Sequence, residues 1–135
     1  QALQSSGGAE TISNILINIS YGASPVTILA IMLIITMLLS AVLNNVATVL
    51  VTAPISVEIA RTLAVNPDTF LMAVAIGASC AFLTPIGHQN NTLVMGPGGY
   101  RFGDYWKLGL PLEIVITVVS IPTLLYFWPL NSLPI

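Results

Sequence analysis

Charge is what this chain of 135 residues lacks most: Asp, Glu, Lys and Arg together make up 6% of it. Soluble domains carry about 25% charged residues, so this composition cannot supply a water-facing surface. No charged residue lies between Glu10 and Glu58, nor between Asp68 and Arg101. With 3 Lys/Arg and a net charge of −2 there is no basic patch to neutralise phosphates, which excludes a nucleic-acid partner. The single cysteine, Cys80, excludes an internal disulfide and a thiolate zinc site; among small and apolar neighbours it reads as a buried, inert thiol. Residues 1–10 lack the basic start and apolar core of a signal peptide, so the chain reads as beginning mid-stream, one segment of a larger polypeptide. Nucleophile–base pairs, metal-ligand clusters and a P-loop lysine are missing too, and the expectation is that the protein is not an enzyme.

What is present is apolar sequence: 56% hydrophobic residues and a mean hydropathy of +0.93. A helical crossing needs about 20 apolar residues, and the pattern predicts an all-α integral membrane protein. Over residues 9–20, Ile12, Ile15, Leu16 and Ile19 recur at helical spacing among Thr, Ser and Asn. That predicts an amphipathic helix lying along the interface, or else a solvent-side connector. Val26 to Leu43 is an uninterrupted apolar run, followed by Asn44-Asn45 and a second apolar arm to about residue 64 that contains Pro54. Two geometries fit: two crossings joined by a headgroup loop, or a tilted re-entrant hairpin over 26–64 with a buried tip. The tip has no Gly, Pro or charge, which favours the re-entrant hairpin.

Pro67-Asp68 suits a helix start. The following run carries a small-residue stripe, Ala73, Gly77 and Ala81, that would let another helix approach closely. The helix cannot continue normally through Thr84-Pro85-Ile86-Gly87. The spacing therefore predicts one broken helix over 67–97, interrupted at Thr84, Pro85, Asn90 and Asn91 and resuming around Thr92, with Asn90 and Asn91 tying the unwound loop to the hairpin. A mixed aromatic and charged segment, Tyr100 to Lys107, reads as an interfacial belt before a last transmembrane helix over 108–130. Glu113, near the start of that span, reads as an interfacial carboxylate. Arg101 and Lys107 against Arg61 put the preceding loop in the cytoplasm and the C-terminus outside an inner (cytoplasmic) membrane.

The two polar islands, Asn44-Asn45 and Thr84 to Asn91, thus fall near mid-membrane. Irregular backbone survives at that depth only where it is buried in protein or lines a cavity. A hairpin tip offers the C-terminal carbonyls of one helix to a cation and the N-terminal N–H groups of the next to an anion. Plainer readings stand beside this one. Asn44-Asn45 serve as helix caps. Thr48 and Thr52 bond back to their own helix. His88 is a neutral hydrogen-bonded group, an anion donor or a titrating site.

Asn44-Asn45-Val46-Ala47-Thr48 with Pro54-Ile55, then Gly77 to Asn91, closing with Gly96-Pro97-Gly98-Gly99-Tyr100, form a specific pair of motifs. Together they resemble the C-terminal part of the divalent anion/sodium symporter family, within the larger ion transporter superfamily. The resemblance implies two inverted repeats, each with a hairpin and a broken helix, of which this chain is the later part of the second. It implies substrate between two hairpin tips and one sodium ion, the coupling ion, in each repeat. By positional match it assigns one Na⁺ to Ser40, Leu43, Asn45 and Gly87, and the anion to Asn44, Asn45 and His88. The family tip usually reads Ser-Asn-Thr; here the matching positions are Asn44, Asn45 and Val46. The tail from Gly87 to Tyr100 looks more like the sulfate-type permeases, in which a cytoplasmic regulatory domain often separates the repeats.

The function expected is Na⁺-coupled symport of a divalent anion, sulfate-like or a dicarboxylate. The alternatives are a proton-coupled exchanger or metalloid efflux permease of the same superfamily, and a non-transporting structural membrane subunit. The expected partners are the remaining transporter segments, the lipid bilayer and a second copy in a homodimer. Sequencing of the upstream reading frame is expected to reveal an inverted copy of apolar arm, Asn-containing tip and Pro/Gly-broken helix; its absence would overturn the transporter reading.

Overall fold

The computed structural model of the chain describes residues 22–131. The interfacial helix expected over residues 9–20 lies outside them. All regular structure among the described residues is helical: α1 (Pro25–Ser40), α2 (Asn45–Thr62), α3 (Pro67–Ser79), α4 (Gln89–Met95) and α5 (Tyr105–Phe127). A single 3₁₀ turn, Phe102–Asp104, precedes α5.

Local chemistry sets each start. Ser24 caps α1 by accepting from the Thr27 N–H, with Pro25 in the first turn. Asn44 caps α2 through Oδ1, which accepts from the Ala47 N–H at 2.8 Å. Asn66 caps α3, with Pro67 in its first turn and Asp68 complementing the dipole. His88 caps α4, so the chain re-enters helix at Gln89 rather than around Thr92. In the 3₁₀ turn the Arg101 N–H donates to Asp104 Oδ2 at 2.9 Å, and Lys107 Nζ reaches Asp104 Oδ1 at 2.9 Å. That anchored turn starts α5 at Tyr105, ahead of the expected 108. The helix then runs through Pro111 and Pro122, each of which removes one N–H donor without ending it.

α3 is the centre of the packing: α1 and α2 both lie mainly against it and touch each other less. Leu29, Met32 and Leu33 of α1, Ile59 of α2 and Phe70, Ala73 and Val74 of α3 are all fully or almost fully buried. The small-residue stripe explains why α1 comes so close. A Cβ on Gly77 would lie 2.8 Å from Thr36 Cβ and 3.0 Å from the Leu33 carbonyl oxygen. Buried hydroxyls do not stay unpaired. Thr36 donates to Met32 O at 2.7 Å, Thr48 to Asn44 O at 3.0 Å and Thr52 to Thr48 O at 2.8 Å. Thr48 and Thr52 therefore bond back to their own helix. Thr69 reaches Trp128 O at 2.8 Å and fastens the start of α3 to the end of α5.

Among the described residues, one stretch is a helix long and apolar enough to cross a membrane, Phe102–Phe127 with a mean hydropathy of 2.0. α1 and α3 are apolar but shorter, 16 and 13 residues. At 1.5 Å per residue they are about 24 and 20 Å long, less than the roughly 30 Å of a hydrocarbon core.

The α1–α3 contact gives a direct test. Gly77→Ala is expected to destabilise the full-length protein by about 1–3 kcal/mol, seen as a lower thermal midpoint in detergent. Gly96→Ala, whose Cβ would meet nothing within 4 Å, should leave the midpoint unchanged. Equal midpoints for the two variants would refute this packing.

Candidate functional site

α3 ends at Ser79, and the chain from Cys80 to His88 has no regular structure before α4 begins. These nine residues do not project as a free loop, because the break folds onto the turn between α1 and α2 and onto α4. Ser40 Oγ donates to Ala78 O at 2.7 Å, joining the last turns of α1 and α3. Thr84 Oγ1 donates to Ala41 O and accepts the Gly87 N–H at 3.3 Å. Gly87 lies so close to the end of α1 that a Cβ there would sit 2.4 Å from Ser40 O and 3.2 Å from Ala41 Cα. No residue with a side chain could take that position without moving backbone.

The far side of the break is held by α4 and α5. Asn91 Nδ2 donates to Ala81 O at 2.8 Å and to Thr84 O at 3.3 Å, and Thr92 Oγ1 donates to Pro85 O at 2.7 Å. Tyr105 Oη donates to the Asn91 carbonyl at 2.6 Å, linking α5 to α4. Gly109 of α5 packs on the break as well: a Cβ there would lie 2.5 Å from Phe82 O. Asn91 was expected to tie the break to the hairpin. It instead ties α4 back to the break, and the link to the α1–α2 turn is made by Thr84, whose hydroxyl is free to reach across. Asn90 contributes its backbone N–H, to His88 Nδ1 at 3.2 Å, and is exposed.

Three kinds of polar group remain at this junction. The first is carbonyl oxygen: among the described residues, no hydrogen-bond donor reaches the carbonyls of Ser40, Leu43 or Gly87. The second is Asn45 Oδ1, which is buried and has no hydrogen-bond partner. An unpaired buried amide oxygen is costly, and acceptors collected without donors suit a small cation. The third is donor groups. Asn44 spends its oxygen on the cap and keeps its Nδ2 hydrogens, while the Asn45 and Val46 N–H groups, at the first turn of α2, have no acceptor among the described residues. His88 Nδ1 accepts the Asn90 N–H, which leaves Nε2 as the ring nitrogen available to donate. No group of three or more His, Cys, Asp or Glu that could hold a metal ion occurs among the described residues. Any cation here would be held by neutral oxygens.

The rim of this junction is apolar and open. Val42 is 66% exposed, Val46 70% and Ile86 63%. Cys80, read as a buried thiol, is free and buried. Glu113, read as an interfacial carboxylate, is 7% exposed and packed inside the helical body. Sequence spacing also gave no hint of the Tyr105–Asn91 link. Tyr105 sits in an aromatic segment that equally suits a membrane border, and only the fold aims its hydroxyl at α4.

A family profile described as citrate transporter, CitMHS, matches residues 1–134. The chain is 40% identical over 129 residues, 93% of its length, to the uncharacterized transporter YfbS of Escherichia coli K12. It is 37% identical over 119 residues, 88% of its length, to the uncharacterized transporter sll0640 of Synechocystis. It is 30% identical over 120 residues, again 88%, to sodium/sulfate cotransporter 1 of Chlamydomonas reinhardtii. These matches cover 21%, 19% and 14% of the three relatives, so the chain spans about a fifth or less of their length.

The junction predicts a sharp response at Gly87. Gly87→Ala should force the break off the α1–α2 turn and lower the stability of the full-length protein by about 1–3 kcal/mol. Thr84→Val, which removes one hydrogen-bonding hydroxyl, should cost about 1 kcal/mol. Thermal denaturation in detergent reads both, and wild-type stability in Gly87→Ala would contradict the contact.

Proposed function

We infer, for a chain that belongs to the citrate transporter (CitMHS) family, that it forms one half of the substrate site of a membrane transporter coupling Na⁺ to uptake of a divalent oxyanion. The observation that carries this reading is Asn45 Oδ1, a buried oxygen with no donor, a few residues along the chain from the free carbonyls of Ser40 and Leu43, with Gly87 packed against Ser40 O. In the proposed site these four residues hold the sodium ion by oxygen alone. Asn44, the first N–H groups of α2 and the Nε2–H of His88 supply neutral donors to the anion. Neutral donors solvate an oxyanion without the cost of burying an unpaired charge. Cation and anion then share one turn of chain, so the sodium ion fixes the Asn45 side chain beside the donors that the anion needs. That geometry is the proposed origin of coupling.

The name of the Chlamydomonas relative, a sodium/sulfate cotransporter, supports both the ion and the class of anion. The family description, citrate transporter, supports a carboxylate as the rival substrate. The lengths of α1 and α3 support the re-entrant and broken-helix reading, since neither reaches across a bilayer core. The apolar rim of Val42, Val46 and Ile86 supports a second half-site contributed by the rest of the transporter, an inverted repeat packed against this face. Arg101 and Lys107 at the head of α5 support a cytoplasmic start for that helix and an outside C-terminus. Transport in this reading moves α1, α2 and the broken helix together, because one core and the Ser40 and Thr84 hydrogen bonds join them.

Reconstituted full-length protein provides the test. Asn45→Ala is expected to raise the sodium concentration needed for half-maximal sulfate or dicarboxylate uptake by about ten- to a hundredfold, the loss of one charge-assisted contact of about 1.5–3 kcal/mol. Sodium dependence unchanged in this variant would remove Asn45 from the site.

A further inference from the structure

α5 carries a charge where none should be comfortable. Glu113 lies eight residues beyond Tyr105, about 12 Å along the helix axis, inside the apolar stretch long enough to cross a membrane. It is 7% exposed, and its Oε1 is buried with no hydrogen-bond partner. The ion pairs among the described residues are Arg61–Glu58 and Lys107–Asp104, so no cation stands within 4 Å of it there. The Thr117 hydroxyl, one turn on, donates to the Glu113 backbone carbonyl at 2.8 Å and lies 3.6 Å from Met37 Sδ, not on the carboxyl.

The carboxyl borders a cavity of about 250 Å³ between α5, α1 and the helix break, whose walls include Met37, Leu38, Leu83 and Thr117. α1 presents Ile34, Met37 and Leu38 to it, and α5 adds Leu110, Ile114, Thr117 and Val118, none of which titrates. The break supplies the titratable neighbour, the buried Cys80 thiol. A bare carboxylate in such surroundings costs several kcal/mol. A proton removes that cost outright, and the cavity leaves room for water to deliver it.

We propose that Glu113 is a membrane-embedded proton-binding site that controls the packing of α5 on α1 and the helix break. With the proton on, the side chain is a neutral acid and the apolar interface is closed. When the proton leaves to water, the charge left behind draws solvent into the cavity and loosens α5 from the break. On the same helix Gly109 packs on that break and Tyr105 holds α4, whose Asn91 bonds the break, so the seat of Gly87 on the α1–α2 turn loses its support. Anion uptake should therefore fall as pH rises; this consequence, unlike the proton site itself, rests on the transport function proposed above.

Full-length protein in proteoliposomes, with sulfate uptake measured across pH at fixed sodium and equal pH on both sides, tests the consequence. Wild type is expected to lose uptake on the alkaline side, and Glu113→Gln, neutral at every pH, to keep the low-pH rate throughout. Infrared difference spectra between acid and alkaline pH test the site directly, independent of transport: a protonated-carboxyl C=O band should be present in wild type and absent in Glu113→Gln. If Glu113→Gln does not accumulate in membranes, Glu113→Asp should shift the band and the alkaline limb together. An alkaline fall that persists in Glu113→Gln, a band that survives the substitution, or a band and limb unmoved in Glu113→Asp overturns the proposal. So does a changed sodium requirement with an unchanged pH profile, which would make Glu113 a sodium ligand. Wild type without sulfate or dicarboxylate uptake, but with the Glu113 band intact, would defeat the transport reading and leave the proton site standing.

Discussion

The seat of Gly87 on the Ser40 carbonyl is the contact on which the rest of this structure depends. It lets an unwound piece of backbone lie directly against the end of a helix, with no side chain between them. In an apolar environment such backbone persists only when its polar groups find partners. Asn91 and Thr92 bond the Ala81, Thr84 and Pro85 carbonyls, Thr84 Oγ1 accepts the Gly87 N–H, and the Ser40 and Thr84 hydroxyls bond the adjoining Ala78 and Ala41 carbonyls. Remove the close approach and Thr84 no longer reaches Ala41, so the break and the α1–α2 turn become separate loops.

What the junction leaves unsatisfied is as informative as what it satisfies. The hydroxyl and amide donors are used on internal carbonyls, while the Asn45 oxygen and the free carbonyls around it stay without donors. The donors left over sit on α2, Asn44 and His88. Free acceptors and free donors therefore both occur along residues 40–46, where α1 ends and α2 begins, with Gly87 and His88 on the break. A cation and an anion bound there would neutralise each other's charge at short range, which is the physical basis for binding them together in a low-dielectric setting. α5 enters this arrangement from behind through Tyr105 and Gly109, so whatever alters the seating of α5 also alters the junction.

Much of this was legible in the chain, and the reasons differ by residue. Asn44-Asn45 and the Thr84–Asn91 island stood out because polar residues are rare in such apolar sequence. Pro85 and Gly87 announced the break because neither continues a helix. The stripe of Ala73, Gly77 and Ala81 announced a close helix contact, though not that α1 would fill it. Asn91 was misjudged, since an amide can bond to any carbonyl within reach and sequence does not say which comes within reach. The burial of Glu113 was not legible for a related reason. Its distance from the helix start suggested an interface, but burial depends on how α5 leans on α1 and the break, and that is a three-dimensional fact.

The sequence by itself determined that the chain is helical and too poor in charge for a water-facing surface, roughly where its helices break, and which residues are polar in an apolar setting. Those features follow from composition, periodicity and capping, which act over a few residues. Only the tertiary structure decided that Thr84 rather than Asn91 joins the break to the turn. The same packing left Asn45 Oδ1 without a donor and buried Glu113 Oε1 without one. Each depends on the separation of atoms distant in the chain, and that separation is set by how closely α1 packs on Gly77 and Gly87.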